Sequence, residues 1–308
     1  MLLVTGASGL LGASVLLLAR EQGRGAVGLC HTHRIHVPGL SVFDVDLTDT
    51  ATTRETLVQL RPAAVVHCAA GTNVDWCEDH PDETERINVH ASSFLAAVAA
   101  ELNLRFVHVS TDSVFDGRQS FYLETDEAAP LNVYAASKLR AEQEVFRHNS
   151  SALIVRTNIY GWNVQKKQSL AEWIVGRLAK GKEVPGFVDV YFTPILANDL
   201  AEILLAMLDR GLTGVYHVAG SQRVSKYEFA KQAAIMAGFE PERVVPTRFA
   251  EARLRAARPL DTSLSTNKVR FALERPIPSM EQGLRRFADL RERGYPQQLK
   301  SFLTGAAE

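Results

Sequence analysis

The amino-terminal segment joins a short apolar run to a glycine-rich turn, and this pairing constrains the fold more than any other feature. The run from Met1 to Thr5 is typical of a buried parallel strand. Gly6, Gly9 and Gly12 follow at three-residue spacing, and the apolar segment 13–21 predicts a helix. In such a unit the glycines permit a tight turn, the approach of a diphosphate and close helix–strand packing. The turn therefore predicts a dinucleotide site at the helix N-terminus, where free N–H groups favour phosphate.

Strand and helix patterns alternate through the first half of the chain, which predicts a Rossmann-type, doubly wound parallel α/β sheet. After Trp162 the rhythm changes. We expect residues 1–162 to form the dinucleotide-binding domain, with segments near 188–218 returning to it, and 163–187 and 219–308 to form a smaller substrate-binding region. Further predicted elements are strands at 26–30, 41–45, 64–68, 105–109, 152–156 and 214–218, a polar loop at 72–81, a turn-rich link at 181–187, a helix capped by Asn198 and a last helix at 280–292.

The end of the second predicted strand bears on the choice between NAD and NADP. An NAD site usually carries Asp or Glu there to bind the ribose 2′-hydroxyl. Here the strand runs into His31-Thr32-His33-Arg34, with no carboxylate, and Arg34 is suited to a 2′-phosphate. We therefore expect NADP(H), with NAD(H) and a solvated Arg34 as the alternatives. Asp46, after the third strand, is placed to face an adenine amino group.

Tyr134 and Lys138 lie one turn apart if their segment is helical, so they share a face. A nearby ammonium lowers the pKa of a phenol, and a Tyr tuned in this way can exchange a proton with an alcohol or carbonyl oxygen. Thr111 follows a predicted strand, where its hydroxyl can bind the same oxygen. Asn88 lies inside a predicted helix, an unfavourable place unless its side chain binds a backbone carbonyl or a water. The alternative is an ordinary helix with a half-buried Tyr and a surface Lys.

Charge and composition argue against several classes of function. A net charge of −1 gives no electrostatic reason to bind nucleic acid or an anionic membrane. No apolar window approaches the ~18 residues of a membrane span, and no signal-peptide pattern precedes the first strand. Cys30, Cys68 and Cys77 lack paired spacing and are expected to be reduced thiols in a cytoplasmic protein. The three histidines at 31–36 lack a Cys or carboxylate at matching spacing, so no metal site is expected.

Several motifs occur in an order and spacing typical of one protein family. They read TGASGLLG, HCAAGTNVDWCE, STDSVFDG, YAASK and RTNIYG, followed by ANDLAEILL, GVYHVAG and RPLDTSLSTNK. With these motifs the chain resembles the extended short-chain dehydrogenases/reductases, and most closely the dTDP-4-dehydrorhamnose reductase family. The resemblance covers nearly the whole chain. It implies an oxidoreductase that acts on a sugar nucleotide, in a family whose members often form homodimers.

The resemblance also implies which residues act. Catalysis is assigned to Thr111, Tyr134 and Lys138, with Asn88 in support. Besides Tyr134 and Lys138, the expected cofactor contacts are Gly6, Ser8, Gly9, Leu10, Leu11, Gly12, His31, Arg34, Asp46, Leu47, Cys68, Ala69, Ala70, Ser110 and Arg156. The expected substrate contacts are Thr72, Val74, Asp112, Ser113, Val114, Phe115, Asn158 and Arg258.

Two segments depart from the family pattern and leave the substrate open. Ser113 stands where rhamnose-pathway members usually carry an aromatic residue, and residues 190–195 read VYFTPI instead of Gln-x-Gly-x-Pro-Thr. Both segments border the sugar pocket in the family. An arginine-rich stretch at 248–258 would suit a diphosphate-bearing substrate or would form a solvated helix face.

Three functions are compatible with these features. The leading hypothesis is NADP(H)-dependent reduction of a nucleotide-activated 4-keto-6-deoxy sugar. The second is an epimerase or dehydratase of the same superfamily, although a dehydratase should carry Asp-Glu where Asp112 and Ser113 follow Thr111. The third is a non-catalytic, NADP-binding regulatory subunit that resembles the methionine adenosyltransferase β subunits.

Overall fold

Seven parallel strands form the central sheet of the protein, in a computed structural model that describes residues 1–252 and 255–303. The strand order is β11-β6-β5-β4-β1-β2-β3, so the chain runs outward from β1 in one direction and from β4 in the other. Apolar runs of this kind favour a sheet that is covered on both faces. The sheet strands are β1 (Leu2–Thr5), β2 (Ala26–Cys30), β3 (Ser41–Asp44), β4 (Ala64–His67), β5 (Arg105–Val109), β6 (Leu153–Arg156) and β11 (Gly214–His217).

Helices cover both faces of this sheet. Val4 of β1 belongs to the core on the face where the first and eighth helices pack together, and Leu3 belongs to the core on the other face. The helices are α1 (Leu10–Glu21), α2 (Thr50–Leu60), α3 (Val74–Asp79), α4 (Pro81–Glu85), α5 (Ala91–Glu101), α6 (Val133–His148), α7 (Leu170–Ala179), α8 (Ala197–Asp209), α9 (Lys226–Met236), α10 (Asn267–Leu273), α11 (Met280–Glu292) and α12 (Tyr295–Ser301).

Three two-stranded ladders organise the later part of the chain, beside the carboxyl edge of the main sheet. They pair β7 with β10 in parallel, β9 with β12 antiparallel, and β8 with β13 in parallel. Their strands are β7 (Ile159–Tyr160), β8 (Val184–Phe187), β9 (Tyr191–Phe192), β10 (Ile195–Leu196), β12 (Val224–Ser225) and β13 (Val244–Thr247).

The predicted fold class is confirmed, while several local predictions are wrong. The expected polar loop at 72–81 contains α3, and the expected link at 181–187 contains β8, because a distant partner strand, β13, completes it. Asn198 does not cap α8: the helix already begins at Ala197, and the Asn198 amide donates to the Tyr295 hydroxyl at 3.3 Å. β11 lies in the main sheet beside β6, and α12 follows the predicted last helix.

The location of the candidate site follows from the point at which the strand order of the sheet reverses. β1 and β4 are neighbours there, with Thr5 paired to His67 at their carboxyl ends. Connections leave these two strands in opposite directions and open a crevice, which is where open α/β sheets bind ligands. Across residues 1–252 and 255–303, no helix combines the length and apolar character needed to cross a membrane.

Candidate active site

The glycine turn forms a cradle at the N-terminus of α1. Gly6 has a left-handed φ of +63°, and a Cβ there would lie 2.8 Å from the backbone nitrogen of Ala69. A Cβ on Gly12 would lie 2.2 Å from the Gly6 oxygen, so helix and turn can approach only without it. Gly9 has an ordinary φ of −85° and, having no side chain, leaves the first N–H groups of α1 without a side-chain cap. These open N–H groups fit a diphosphate.

A buried hydrogen-bond network stabilises the end of β1, where this turn begins. The Ser92 hydroxyl donates to the Asn88 carbonyl at 2.6 Å, so the Nε2 of His67, 2.9 Å from the same hydroxyl, must carry a hydrogen. The Nδ1 of His67 then accepts from the Thr5 hydroxyl at 2.7 Å. Burial lowers the pKa of His67 to about 3, so the ring is neutral. Thr5 is thereby fixed at the strand end from which the turn departs.

The strand ends next to the turn carry a carboxylate that the sequence of β2 alone does not show. Asp44, at the end of β3, forms an ion pair with Arg34 and lies 3.5 Å from the ring nitrogen Nδ1 of His31. Parallel pairing of β2 with β3 brings Asp44 opposite Cys30. No carboxylate directly follows β2 in the sequence, but the neighbouring strand β3 supplies one beside Arg34. Arg34 keeps 71% of its side chain exposed.

The other residues expected near the adenosine half surround the same edge. Asp46 accepts hydrogen bonds from the backbone N–H and the hydroxyl of Thr48, at 2.9 and 2.8 Å, and its oxygen lies 3.9 Å from His31. The side chain of Asp49 caps α2. Leu47 packs against the core, Ser8 is buried, and Leu10 and Leu11 form the first turn of α1. No set of three potential metal ligands occurs within the described parts of the chain.

Tyr134 and Lys138 lie on the first two turns of α6, which begins after Asn132. The Asn132 side chain caps the helix by accepting from the Ala135 N–H at 2.8 Å. The Lys138 ammonium donates to the Val109 carbonyl at 2.8 Å and lies 3.2 Å from Nε2 of His108. Lys138 is only 2% exposed. Burial lowers its pKa to about 8, although the charge of Glu142 opposes the shift.

The pKa of Tyr134 moves against the expectation. Burial raises the pKa of the Tyr134 phenol to about 12, and a hydrogen bond with Thr111 only partly offsets this rise. The Lys138 ammonium is directed to Val109 and His108. The Thr111 hydroxyl lies 3.2 Å from the Asp112 carboxylate. Thr111, Tyr134 and Lys138 are thus brought together, with a protonated phenol at neutral pH.

Asn88 connects the cofactor crevice to the helix that carries Tyr134. It lies in a π-helical turn, Arg86–His90, between α4 and α5. Its amide oxygen accepts from the Gly71 N–H at 2.8 Å, and its amide nitrogen donates to the Gly71 carbonyl and to the Ser137 hydroxyl at 3.1 and 3.0 Å. Ser137 in turn donates to the Tyr134 carbonyl at 2.7 Å. Asn88 therefore binds a backbone carbonyl, which is one of its two expected roles.

Two predicted cofactor contacts have their side chains engaged elsewhere. The Ser110 hydroxyl donates to Glu142 at 2.5 Å, and Arg156 donates to the same carboxylate at 2.7 Å. Both residues are buried, so the structure does not present these side chains to the crevice. Cys68, Ala69 and Ala70 follow β4 and are half-buried along it. Burial raises the pKa of Cys68 to about 12, which keeps it a thiol.

The predicted substrate contacts divide into a polar group and a buried group. Asp112 accepts from the Ser113 hydroxyl at 3.2 Å and from the Asn158 amide at 2.6 Å, beside Thr111. Val114 and Phe115 are fully buried, and Phe115 stacks on Tyr122 at 4.1 Å between ring centroids. Both side chains belong to a local core, and substrate contact by these two residues stays a prediction.

Helix α3 forms the opposite wall with part of the arginine-rich stretch. Arg258 donates to Asp75 at 3.1 Å, and Arg255 pairs with Asp79. Both arginines pair with carboxylates of α3, and 67% of the Arg255 side chain stays exposed. Arg253, in the same stretch, lies outside the described residues. Val74 begins α3, and Thr72 accepts from Lys167 of the 163–168 loop at 2.7 Å.

Comparison with known protein families identifies the family of this chain. The family profile described as the RmlD substrate binding domain matches residues 1–292.

The chain belongs to the RmlD substrate binding domain family.

Relatives and solved structures agree with this RmlD-family assignment. A probable low-salt glycan biosynthesis reductase, Agl14 of Haloferax volcanii, is 36% identical over 285 residues, 91% of this chain and 95% of that protein. The methionine adenosyltransferase 2 subunit beta of Danio rerio is 31% identical over 275 residues, 87% and 83% of the two chains. The crystal structure of dTDP-4-dehydrorhamnose reductase from Bacillus anthracis in complex with NADP superposes with a TM-score of 0.81 at 29% identity, covering 93% and 96%. The resemblance drawn from the motifs is confirmed.

Sequence reasoning missed three side chains of this RmlD-family site. His108 lies 3.2 Å from the Lys138 ammonium, Glu142 binds Ser110 and Arg156, and Lys226 of α9 is within range of the charge of Asp112. Glu142 lies one further turn along α6 from Lys138, so helical spacing could have found it. His108 interrupts an apolar strand, which is also a signal, whereas nothing near Lys226 in the sequence points to Asp112.

Proposed function

We propose that the protein is an NADP(H)-dependent reductase of a nucleotide-activated 4-keto-6-deoxy sugar, similar to dTDP-4-dehydrorhamnose reductase. The observation that carries this proposal is the meeting of Thr111, Tyr134 and Lys138 beside the glycine turn, at the switch point of the sheet. Proton-transfer groups and an open diphosphate cradle in one crevice suit a redox reaction at a carbon–oxygen bond. The reductases among its relatives support the same reaction class.

The glycine turn and its surroundings would hold the cofactor. The N–H groups at the start of α1 would bind the diphosphate, and Arg34 would bind the ribose 2′-phosphate once it leaves Asp44. NADPH, when bound, supplies a hydride to the substrate carbonyl. NAD(H) is the alternative cofactor, since Asp44 suits a free 2′-hydroxyl.

Side chains of the protein would then donate the proton and stabilise the developing negative charge. Thr111 would hold the carbonyl oxygen of the substrate, and Tyr134 would donate its proton to that oxygen. A phenol with a pKa of about 12 is fully protonated at neutral pH, which is the form that donates. Lys138, fixed by Val109 and His108, supplies a positive charge next to this proton transfer.

NADPH oxidation in the presence of keto sugar nucleotides tests the proposal. The purified protein should oxidise NADPH with at least one dTDP- or UDP-linked 4-keto-6-deoxy sugar and not with the corresponding sugars that lack a keto group. A protein that binds NADPH but reduces none of these substrates would contradict the proposal.

A regulatory subunit is the second candidate, favoured by the similarity to a methionine adenosyltransferase subunit over 87% of this chain. In that case the protein would bind NADP without turnover and would alter the activity of a methionine adenosyltransferase catalytic subunit on mixing. An epimerase or dehydratase is less well supported, because Ser113 stands where a dehydratase needs an acid after Asp112.

We also propose a cytoplasmic location, since Cys30, Cys68 and Cys77 are all free thiols in the structure. Homodimer formation stays a prediction, which the mass of the purified protein in solution would test.

A further inference from the structure

A lysine from the later part of the chain reaches the candidate substrate pocket. Lys226 is the first residue of α9 and follows β12, which pairs with β9. Its backbone N–H donates to the Val190 carbonyl at 2.9 Å, and the neighbouring Ser225 caps the helix. The backbone is therefore fixed on both sides, which limits where the side chain can point.

The Lys226 ammonium lies on the ring of Phe192, within range of the charge of Asp112. The ammonium nitrogen is 3.4 Å from the centroid of the Phe192 ring, which is itself buried. Burial lowers the pKa of Lys226 to about 8, and the negative charge of Asp112 opposes this shift. Phe192 belongs to the 190–195 segment, where the sequence departs from the rhamnose-pathway pattern.

No ion pair joins Lys226 to Asp112. The Asp112 carboxylate instead accepts hydrogen bonds from three neutral groups, namely the hydroxyls of Thr111 and Ser113 and the amide of Asn158. Three of its roughly four acceptor positions are thereby taken. Among the described residues, Lys226 has the Phe192 ring as its neighbour but no carboxylate bound to its N–H groups.

The N–H groups of Lys226 are thus available to an oxygen that comes from outside the chain. An anionic group would be drawn to Lys226 but repelled by Asp112, whereas an uncharged oxygen escapes this repulsion. Thr111 links Asp112 to Tyr134, so the ammonium, which is affected by the charge of Asp112, lies near the proton-transfer groups. Uncharged oxygens in that position are those of the hexose ring and its hydroxyl groups.

We propose that Lys226 forms a sugar subsite, in which its ammonium donates a hydrogen bond to an uncharged oxygen of the hexose while Phe192 and Asp112 hold the ammonium in place. Lys226 would then determine which sugars are accepted and would contribute nothing to recognition of the nucleotide. This subsite rests on the proposed function, since it assigns part of the same substrate pocket.

Binding of matched ligands, with and without the sugar, tests the subsite independently of turnover. Calorimetry with NADP⁺ present should compare dTDP with dTDP-glucose, and UDP with UDP-glucose, for the native protein, Lys226→Met, Lys226→Arg and Lys231→Met. Lys231 is a matched control, because it lies on the same helix above an aromatic ring, 5.6 Å from the centroid of Tyr227.

Lys226→Met should weaken binding of the preferred sugar nucleotide by about 10- to 100-fold, the effect of losing one charged hydrogen bond. Its affinity for the nucleoside diphosphate without sugar should stay within about two-fold, since no contact to the nucleotide is lost. Lys226→Arg should retain most of the sugar-dependent gain, and Lys231→Met should retain all of it.

An unchanged sugar-dependent gain in Lys226→Met would overturn the subsite, as would a native protein that binds sugar nucleotides no more tightly than the diphosphates. A native protein that binds sugars through Lys226 yet never oxidises NADPH would contradict the proposed reduction and leave the subsite standing.

Discussion

The ammonium of Lys138 lies 3.2 Å from Nε2 of His108, inside the carboxyl edge of the central sheet. Burial holds the pKa of His108 well below its usual range, with the charge of Lys138 adding to the effect, so the ring is neutral. Its Nε2 then offers a lone pair to the ammonium. His108 is therefore a positioning residue: together with the Val109 carbonyl, it holds the ammonium of Lys138 in place.

Removing this acceptor should loosen Lys138 without unfolding the protein. His108→Leu should lower kcat/KM for the keto sugar by about 10-fold or more, because a hydrogen bond to a charged group is lost. His108→Gln, whose amide oxygen can still accept, should recover part of the loss. Steady-state kinetics at fixed NADPH would show this order, and equal activities of the two variants would argue against a positioning role.

Cofactor binding should depend on pH through Lys138. Its pKa of about 8 means that the ammonium is present below pH 8 and is lost above it. Since NADPH is anionic, it should bind the protonated form more tightly. The dissociation constant should therefore be flat towards neutral pH and should rise as the pH passes through 8. Fluorescence titration would measure it, and in Lys138→Met the rise should disappear.

Arg34 and Asp44 should set the preference between the two cofactors. Arg34→Asp should weaken NADPH binding and shift the preference towards NADH, because one charge-assisted contact is worth ~1.5–3 kcal/mol. Asp44→Asn should have the opposite effect, since it frees Arg34 from its ion pair and removes a charge that repels the 2′-phosphate. Dissociation constants of the native protein and both variants for NADPH and NADH would measure this preference. Equal affinity of the native protein for the two cofactors would contradict it.

The glycines of the turn should differ in what they tolerate. Gly9→Val should abolish NADPH binding in a folded protein, because its Cβ meets only the Gly6 oxygen, at 3.1 Å, while its side chain occupies the diphosphate site. Gly12→Ala should instead destabilise the fold, since its Cβ would lie 2.2 Å from the same oxygen. Thermal unfolding and calorimetry separate the two effects. Normal NADPH affinity in Gly9→Val would mean that the loop is only a turn.

The sheet could be predicted because buried parallel strands leave a direct trace in the sequence. The apolar runs at β1, β2, β4 and β5 match the observed strands to within a residue, and helix α11 was predicted at its observed bounds. The local hydrophobic pattern specifies these elements, so they can be predicted without knowing which other parts of the chain they contact.

Elements that depend on distant partners could not be predicted in this way. Helix α3 lies in a polar segment and is held by Asn73, which caps it, and by Arg255 and Arg258, which lie far along the chain. The Arg34–Asp44 pair likewise depends on the register of β2 and β3.

In the candidate site, too, local spacing could be predicted from the sequence, whereas contacts with distant residues could not. The spacing of Tyr134 and Lys138 on one helix was visible in the sequence, whereas the direction of the Lys138 ammonium was not. Its partners His108 and Val109 belong to β5, a strand distant from α6 in the sequence. Lys226 is brought to Phe192 by the pairing of β12 with β9.

The central claim is that Tyr134 donates the proton during reduction of a keto sugar nucleotide, and the kinetics of Tyr134→Phe test it most directly. This variant keeps the ring and removes only the hydroxyl. With the sugar nucleotide that the native protein reduces, it should lower kcat by ~10²–10⁴, the usual scale of general acid catalysis, with little change in KM. NADPH affinity should be retained, which shows that the fold is intact. Full activity of Tyr134→Phe on that substrate would contradict the account and would make the regulatory subunit the better hypothesis.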